Sequence, residues 1–158
     1  MANPNAVTAR RVPEVTDATL DGKPAKEYKF SENGIDRVVV KVQTGPQPVA
    51  KELLATTPKG TSGFTPIRQA INLGFVDDDK SPVTSFSLAF KLRIRYTKDD
   101  LTVAGGAGKL KLAYYAGGKW TVLACTPEPD DPKDAYSEGF LLVSQANWPA
   151  DPPVAVGQ

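Results

Sequence analysis

The stretch that most constrains the fold is a run of alternating residues between Val83 and Tyr96. Every second residue is large and apolar, and most of the residues between are small or basic. The apolar set is Phe86, Leu88, Phe90, Leu92, Ile94 and Tyr96. A helix would scatter these side chains around its circumference, whereas a strand places them on one face. We therefore predict a long β-strand that dominates the core, because each fully buried large apolar side chain contributes about 1.5–3 kcal/mol.

The residues after this strand predict a helical turn and then a tight hairpin. Thr97 precedes two acidic residues, so its side chain can cap a short helix whose first turn is acidic. Gly117 and Gly118 separate two runs of β character, Lys109–Tyr115 and Lys119–Ala124. Paired glycines between such runs are typical of a β-hairpin, because glycine adopts positive φ without a steric penalty.

Other segments also have β character. Ile35–Val42 is rich in β-branched residues and follows an Asn-Gly turn signal, which predicts a hairpin with the residues before it. Phe64–Val76 alternates between apolar and polar residues, and Gly139–Gln145 is a further predicted strand. Residues 49–55 are ambiguous, because their apolar spacing fits a helical turn and a strand equally well.

Together these segments predict an all-β fold, an antiparallel β-sandwich of seven to nine strands. The chain of 158 residues suffices for one such domain. Prolines interrupt both ends, and each proline fixes φ and lacks an amide donor. We therefore predict an extended N-terminal arm (1–26), a sandwich (27–145) and a Pro-rich C-terminal tail (146–158). The arm is either a flexible terminus or a segment docked on its own domain or a neighbour, and its candidate anchors are Val12, Val15 and Leu20.

The composition excludes several reaction classes. The chain has no histidine, so neither a Ser-His-Asp nor a Cys-His arrangement is possible. Its one cysteine, Cys125, has no intrachain disulfide partner and is expected to be a buried or incidental thiol. The Gly-rich segment before Lys109 lacks the first Gly and the final Ser or Thr of a phosphate-binding loop. We therefore expect no enzyme, no catalytic residues and no cofactor.

The charge pattern argues against nucleic-acid and membrane partners. The 19 basic residues are balanced by 18 acidic ones, and no long apolar run or signal-peptide core is visible. One sheet face could still carry a basic stripe, although a solvated face explains the same residues. The stripe would consist of Lys91, Arg93, Arg95, Lys109 and Lys111.

Two acidic segments, Asp77–Asp79 and Asp130–Asp134, raise the question of calcium. Calcium takes six to eight oxygen ligands, and neither segment matches the EF-hand spacing. Adjacent residues of a turn also point in different directions. We expect solvated turns and assign no metal site, with calcium binding as the alternative.

The aromatic residues are the better indication of a binding surface. Tyr114 and Tyr115 are adjacent on a predicted strand, so one should face the core and the other solvent. Exposed aromatic side chains on a sandwich face can stack on sugars. Tyr115, Trp120 and Trp148 are therefore candidate glycan contacts. In the alternative interpretation Trp120 fills the core and the outward tyrosine covers a neighbouring segment.

Between Pro82 and Leu123, about a quarter of the chain, the sequence resembles Ig-like β-sandwich modules of bacterial secreted and surface proteins. The shared features are the alternating strand, a Thr-x-x-Asp-Leu segment, a Gly-containing loop and a Tyr-Tyr pair before a Gly-x-Trp hairpin. The matching residues are Pro82, Val83, Thr84, Phe86, Leu92, Ile94, Tyr96, Thr97, Asp100, Leu101, Leu110, Leu112, Tyr114, Tyr115, Gly118, Trp120 and Leu123. The resemblance implies an Ig-like, non-catalytic module of a larger extracellular protein.

These observations lead us to expect a structural or interaction subunit that self-associates or joins a larger assembly, such as a filament, a surface layer or a capsid decoration. An apolar-studded arm is a suitable donor strand for an open sheet edge. The alternative is a carbohydrate-binding module of an extracellular bacterial protein. The compartment is unknown, and an extracellular, cell-surface or virion-associated location is favoured over the cytoplasm.

Overall fold

A computed structural model describes residues 12–32, 34–53, 56–129 and 138–158. Strands dominate these ranges, with one short α-helix, α1 (Lys98–Ala104), and one 3₁₀ turn, Ala107–Lys109. The strands are β1 (Glu14–Leu20), β2 (Lys23–Glu32), β3 (Ile35–Gln43), β4 (Gln47–Leu53), β5 (Ile71–Val76), β6 (Ser85–Tyr96), β7 (Lys111–Ala116), β8 (Lys119–Leu123), β9 (Cys125–Pro129), β10 (Gly139–Asn147) and β11 (Pro153–Gly157).

The strands form two antiparallel sheets that share one core. The first sheet has the order β1-β2-β3-β6-β10-β9, and the second has the order β4-β5-β11-β7-β8. Val40 and Leu92 of the first sheet and Leu73 and Leu112 of the second belong to the same cluster of buried side chains. The predicted all-β, antiparallel class is therefore confirmed, and two sheets over a common core are consistent with a sandwich.

The long alternating run is strand β6, in the middle of the first sheet between β3 and β10. Five of its six alternating apolar side chains are buried, and Leu88 is partly exposed. The ring of Phe90 lies 4.7 Å from Phe75, 4.9 Å from Phe86 and 5.6 Å from Trp148, measured between centroids. This aromatic cluster joins the two sheets, because Phe75 lies on β5.

The local signals after β6 are confirmed. The amide of Asp100 donates to Thr97 Oγ1 at 3.4 Å, and the Asp100 carboxylate accepts from the Thr97 amide at 2.8 Å, which completes a capping box at the start of α1. Gly117 and Gly118 adopt φ angles of 63° and 81° between β7 and β8. Both features arise from short-range preferences that the residue types dictate.

The predicted N-terminal arm needs correction. Strands β1 and β2 form a hairpin at the edge of the first sheet, so the predicted boundary at residue 26 falls within β2. Pro24 is the second residue of β2, next to the hairpin turn, and a proline is tolerated near the start of a strand. Residues 1–11 lie outside the described ranges.

The predicted C-terminal tail is likewise wrong. The boundary at residue 146 falls within β10, and β11 lies inside the second sheet between β5 and β7. Pro153 opens β11, where a missing donor is tolerated, and the side chains of Val154 and Val156 fill the core. The described ranges contain eleven strands, more than the seven to nine predicted, partly because β1 and β11 lie in segments that the prolines predict to be an arm and a tail.

Two further segments bear on the sequence predictions: the structure corrects one prediction and resolves one ambiguity. Only Ile71–Val76 of the predicted strand 64–76 is a strand; the preceding residues bend across the outer face of the second sheet, where Phe64 and Ala70 pack against Ala113, Trp120 and Ala155. In the ambiguous segment 49–55, residues 49–53 are the end of strand β4, and residues 54 and 55 are not described.

Candidate functional site

The three predicted anchors of the N-terminal arm lie in different surroundings. The side chain of Val12 is 96% exposed and that of Val15 is 47% exposed. Leu20 is buried, so it is a core residue and not part of a partner surface. Val15 on strand β1 and Val12 just before it are therefore surface residues that a partner could contact.

Trp148 is a core residue. It is 2% exposed, and its indole N–H donates to the carbonyl of Leu73 at 2.8 Å. Its ring packs edge-on against Phe90 and Tyr114, with centroid distances of 5.6 Å and 5.3 Å. No aromatic face is left for a sugar, because both the ring and its polar atom already have protein partners.

Trp120 is also buried, on the outer face of the second sheet. It is 4% exposed, its indole N–H donates to the carbonyl of Lys59 at 2.9 Å, and its ring contacts Phe64 and Tyr115. Tyr114 packs against the core between the sheets and Tyr115 against the cluster on the outer face, so the two tyrosines point to opposite faces as expected. Tyr115 is half-buried, however, so the expectation of an exposed tyrosine is wrong. The reason is tertiary: a segment between β4 and β5 covers the face that would otherwise be exposed.

The acidic turn after β5 is held by its own backbone. The Asp77 carboxylate accepts from the amides of Asp79 and Ser81 at 2.9 Å and 3.0 Å. Within the ranges that the structure describes, no group of three His, Cys, Asp or Glu side chains could hold a metal ion. Asp130–Asp134 lies outside those ranges.

The predicted basic stripe is not one surface. Arg93 and Arg95 belong to the first sheet, whereas Lys111 belongs to the second and donates to the carbonyl of Gly63 at 3.0 Å. Arg93 pairs with Glu128, with 2.9 Å between Nε and Oε1. Arg95 is nearly buried, donates to the carbonyl of Asp36 at 2.6 Å and lies over the ring of Phe140.

A cavity of about 300 Å³ lies between the two sheets. We call it the arginine cavity, after Arg37, Arg68 and Arg95 in its wall. Its other polar residues are Glu32 and Gln69. The remaining lining is apolar and comes from both sheets: Phe30, Val38, Ala50, Ile71, Ile94, Val154, Ala155 and Val156.

The arginines are positioned by contacts with neighbouring elements. Arg68 Nη1 lies 3.1 Å from the buried Asp100 carboxylate, and Arg68 Nη2 donates to the carbonyl of Arg95. Asp100 is itself fixed by the capping box at α1. Burial lowers the pKa of Arg68, the Asp100 carboxylate opposes that shift, and the charge of Arg37 adds to it. The guanidinium nonetheless stays protonated at neutral pH.

Cys125 is expected to be an unreactive thiol. Burial raises the pKa of its side chain, and a hydrogen bond involving the backbone of Leu112 only partly opposes this. At pH 8 the native thiol should react with iodoacetamide more slowly than the same thiol in urea, because the thiolate is the nucleophile. Equal rates measured by mass spectrometry in the two states would contradict this.

Comparison with known proteins does not assign a family. No family model, curated protein or solved structure matches the chain. Within the described residues, no helix is long and apolar enough to cross a lipid bilayer. Two features of the described fold are candidates for a function: strand β1, whose described strand partner is β2 alone, and the arginine cavity.

Proposed function

We propose that this protein is a non-enzymatic structural or interaction module that self-associates through the outer edge of strand β1. The observation that carries the proposal is the position of β1 at the end of the six-stranded sheet. Its only strand partner among the described residues is β2. Its outer edge therefore offers amide and carbonyl groups to a strand from another copy.

The direction of these backbone groups follows from the hairpin. Asp21-Gly22 is a two-residue turn, and Leu20 and Lys23 are the paired residues that flank it. In such a hairpin the flanking pair is hydrogen-bonded across the strands, and alternate residues point their amides outward. The outward amides of β1 are then those of Thr19, Asp17 and Val15.

The three other edge strands, β4, β8 and β9, are less suited to strand addition. Strand β4 contains Pro48 near its start. Strand β9 contains Pro127 and Pro129, which have no amide donor. Strand β8 has five residues, and the amide of its Trp120 already donates to Thr61 Oγ1 at 3.1 Å. Strand β1 has seven residues and no proline. Its side chains are mostly exposed, and the exposed Val12 and Val15 add apolar contacts for a partner.

Val15→Pro should reduce self-association, because it removes an outward amide from the β1 edge. The matched control is Val122→Pro on the β8 edge. Val122 is 44% exposed and, like Val15, lies within an edge strand and not at its last residue. We expect wild type and V122P to form a concentration-dependent species larger than the monomer in analytical ultracentrifugation. V15P should be mainly monomeric at the same concentration, with an unchanged circular dichroism spectrum.

Three outcomes would contradict the proposal. They are a wild-type protein that stays monomeric at every concentration, a V15P variant that assembles like wild type, and equal losses in V15P and V122P. The last result would show that the edge of β1 has no special role.

We also propose that the fold is of the Ig-like type. This is supported by two antiparallel sheets that bury one shared core. The strand order differs from the ABED and CFG sheets of a constant-type Ig domain. The proposal therefore concerns sandwich architecture, which related folds share without sharing strand order. An experimental structure in which the two sheets do not face each other would overturn it.

A further inference from the structure

We infer that the arginine cavity binds a small aliphatic carboxylate, which is a monoanion with an apolar chain. The cavity combines an apolar lining from both sheets with three guanidinium groups. Most ligand pockets have this composition, an apolar wall with a few polar groups that fix orientation, and volumes of about 300–1,000 Å³. A cavity of about 300 Å³ is at the small end of that range, which favours a small ligand.

One guanidinium of the wall favours a negative charge on the ligand. Arg68 is already paired with the Asp100 carboxylate. Arg37 takes part in none of the ion pairs formed within the described ranges. Its guanidinium has the fork geometry that binds a carboxylate through two hydrogen bonds.

The geometry around Arg68 supports the same ligand. Asp100 and the carbonyl of Arg95 hold its guanidinium in place, so little side-chain entropy remains to be lost on binding. Arg37 is close enough to Arg68 for its charge to affect the pKa of Arg68. An anion between the two groups would relieve this repulsion.

The apolar lining distinguishes an aliphatic carboxylate from an inorganic anion. Ile71 of β5, Ile94 of β6 and Val154 of β11 line the cavity together. An inorganic phosphate would leave these side chains in contact with water, whereas a hydrocarbon chain would displace that water. A neutral hydrocarbon, in turn, would form no ion pair with Arg37. This inference is independent of the proposed assembly, since the cavity lies between the sheets and β1 lies at an edge.

The test is calorimetric titration of the full chain with sodium butanoate, hexanoate and octanoate, and with octanamide as the neutral counterpart. We expect octanoate to bind with one site per chain. Affinity should rise about fourfold for each added methylene, which corresponds to about 0.8 kcal/mol. Octanamide should bind about tenfold or more weakly than octanoate, because it lacks charge-assisted hydrogen bonds.

A variant pair locates the site. Arg37→Gln should weaken octanoate binding about tenfold or more. Lys119→Gln removes the same charge from an exposed position on β8, outside the cavity lining, and should leave affinity unchanged. If R37Q is misfolded, amide chemical-shift mapping of the wild-type protein replaces it, and octanoate should shift the signals of Val38, Ile94 and Val154.

The inference is overturned by any of four results. These are no saturable octanoate binding, equal affinity for octanoate and octanamide, equal losses in R37Q and K119Q, and shifts confined to residues outside the cavity. Equal affinity for the acid and the amide would indicate apolar binding without recognition of the carboxylate.

Discussion

Trp148→Ala should lower the free energy of unfolding by about 3–5 kcal/mol, the range for removing a buried aromatic side chain. The replaced ring contacts Phe90 and Tyr114 and so joins the two sheets. The substitution also removes the donor to the buried carbonyl of Leu73. For a chain of this length such a loss corresponds to a melting temperature lower by about 10 °C or more. Thermal unfolding followed by circular dichroism measures it.

Trp148→Phe is the control that separates packing from hydrogen bonding. Phenylalanine keeps an aromatic ring at the site and loses only the indole donor and part of the volume. We expect a loss of about 1–3 kcal/mol, the cost of a buried group left without its hydrogen-bond partner. A Trp148→Ala variant as stable as wild type would show that the two sheets do not depend on this contact.

Gly157→Ala should destabilise the protein by about 1–3 kcal/mol, the cost of overpacking at a site that cannot relax freely. A Cβ at Gly157 would lie 2.5 Å from the ring of Phe64 and closer still to the carbonyl oxygen of Thr65. The backbone there is fixed, because Thr65 and Gln158 exchange hydrogen bonds of 2.8 Å and 3.0 Å. Chemical denaturation should show a lower midpoint.

Gly108→Ala is the matched control for this prediction. A Cβ at Gly108 meets no atom within 4 Å, and its φ lies outside the left-handed region. Its effect should be within about 1 kcal/mol in either direction, since the change acts mainly on the entropy of the unfolded chain. Equal destabilisation by G157A and G108A would contradict the close approach at Gly157.

The proposed assembly surface and the proposed cavity use different parts of this scaffold. Strand β1 is mostly exposed and has its only described strand partner on one side. The cavity is lined by residues of both sheets and depends on their separation. Substitutions in β1 should therefore change assembly without changing carboxylate binding, whereas those at Arg37 should do the reverse.

The sequence alone determined the local structure where short-range physics dominates. The period of two in β6, the cap at Thr97 and the glycine pair at Gly117-Gly118 each specify one conformation from neighbouring residues. The all-β class followed from the same signals. In contrast, the prolines near both ends predict arms, because each one disfavours regular structure locally. The sequence does not reveal that a proline such as Pro153 stands at the first residue of a strand, where it is tolerated.

Only the tertiary structure decided which surfaces are free and which residues meet. Trp120 and Trp148 are buried because segments distant in sequence cover them, so their exposure could not be read from alternation. Arg37, Arg68 and Arg95 have no shared motif and come together only when β3, β6 and the segment before β5 pack around one cavity. A strand pattern specifies the face on which a side chain lies. What covers that face depends on long-range packing of the whole chain.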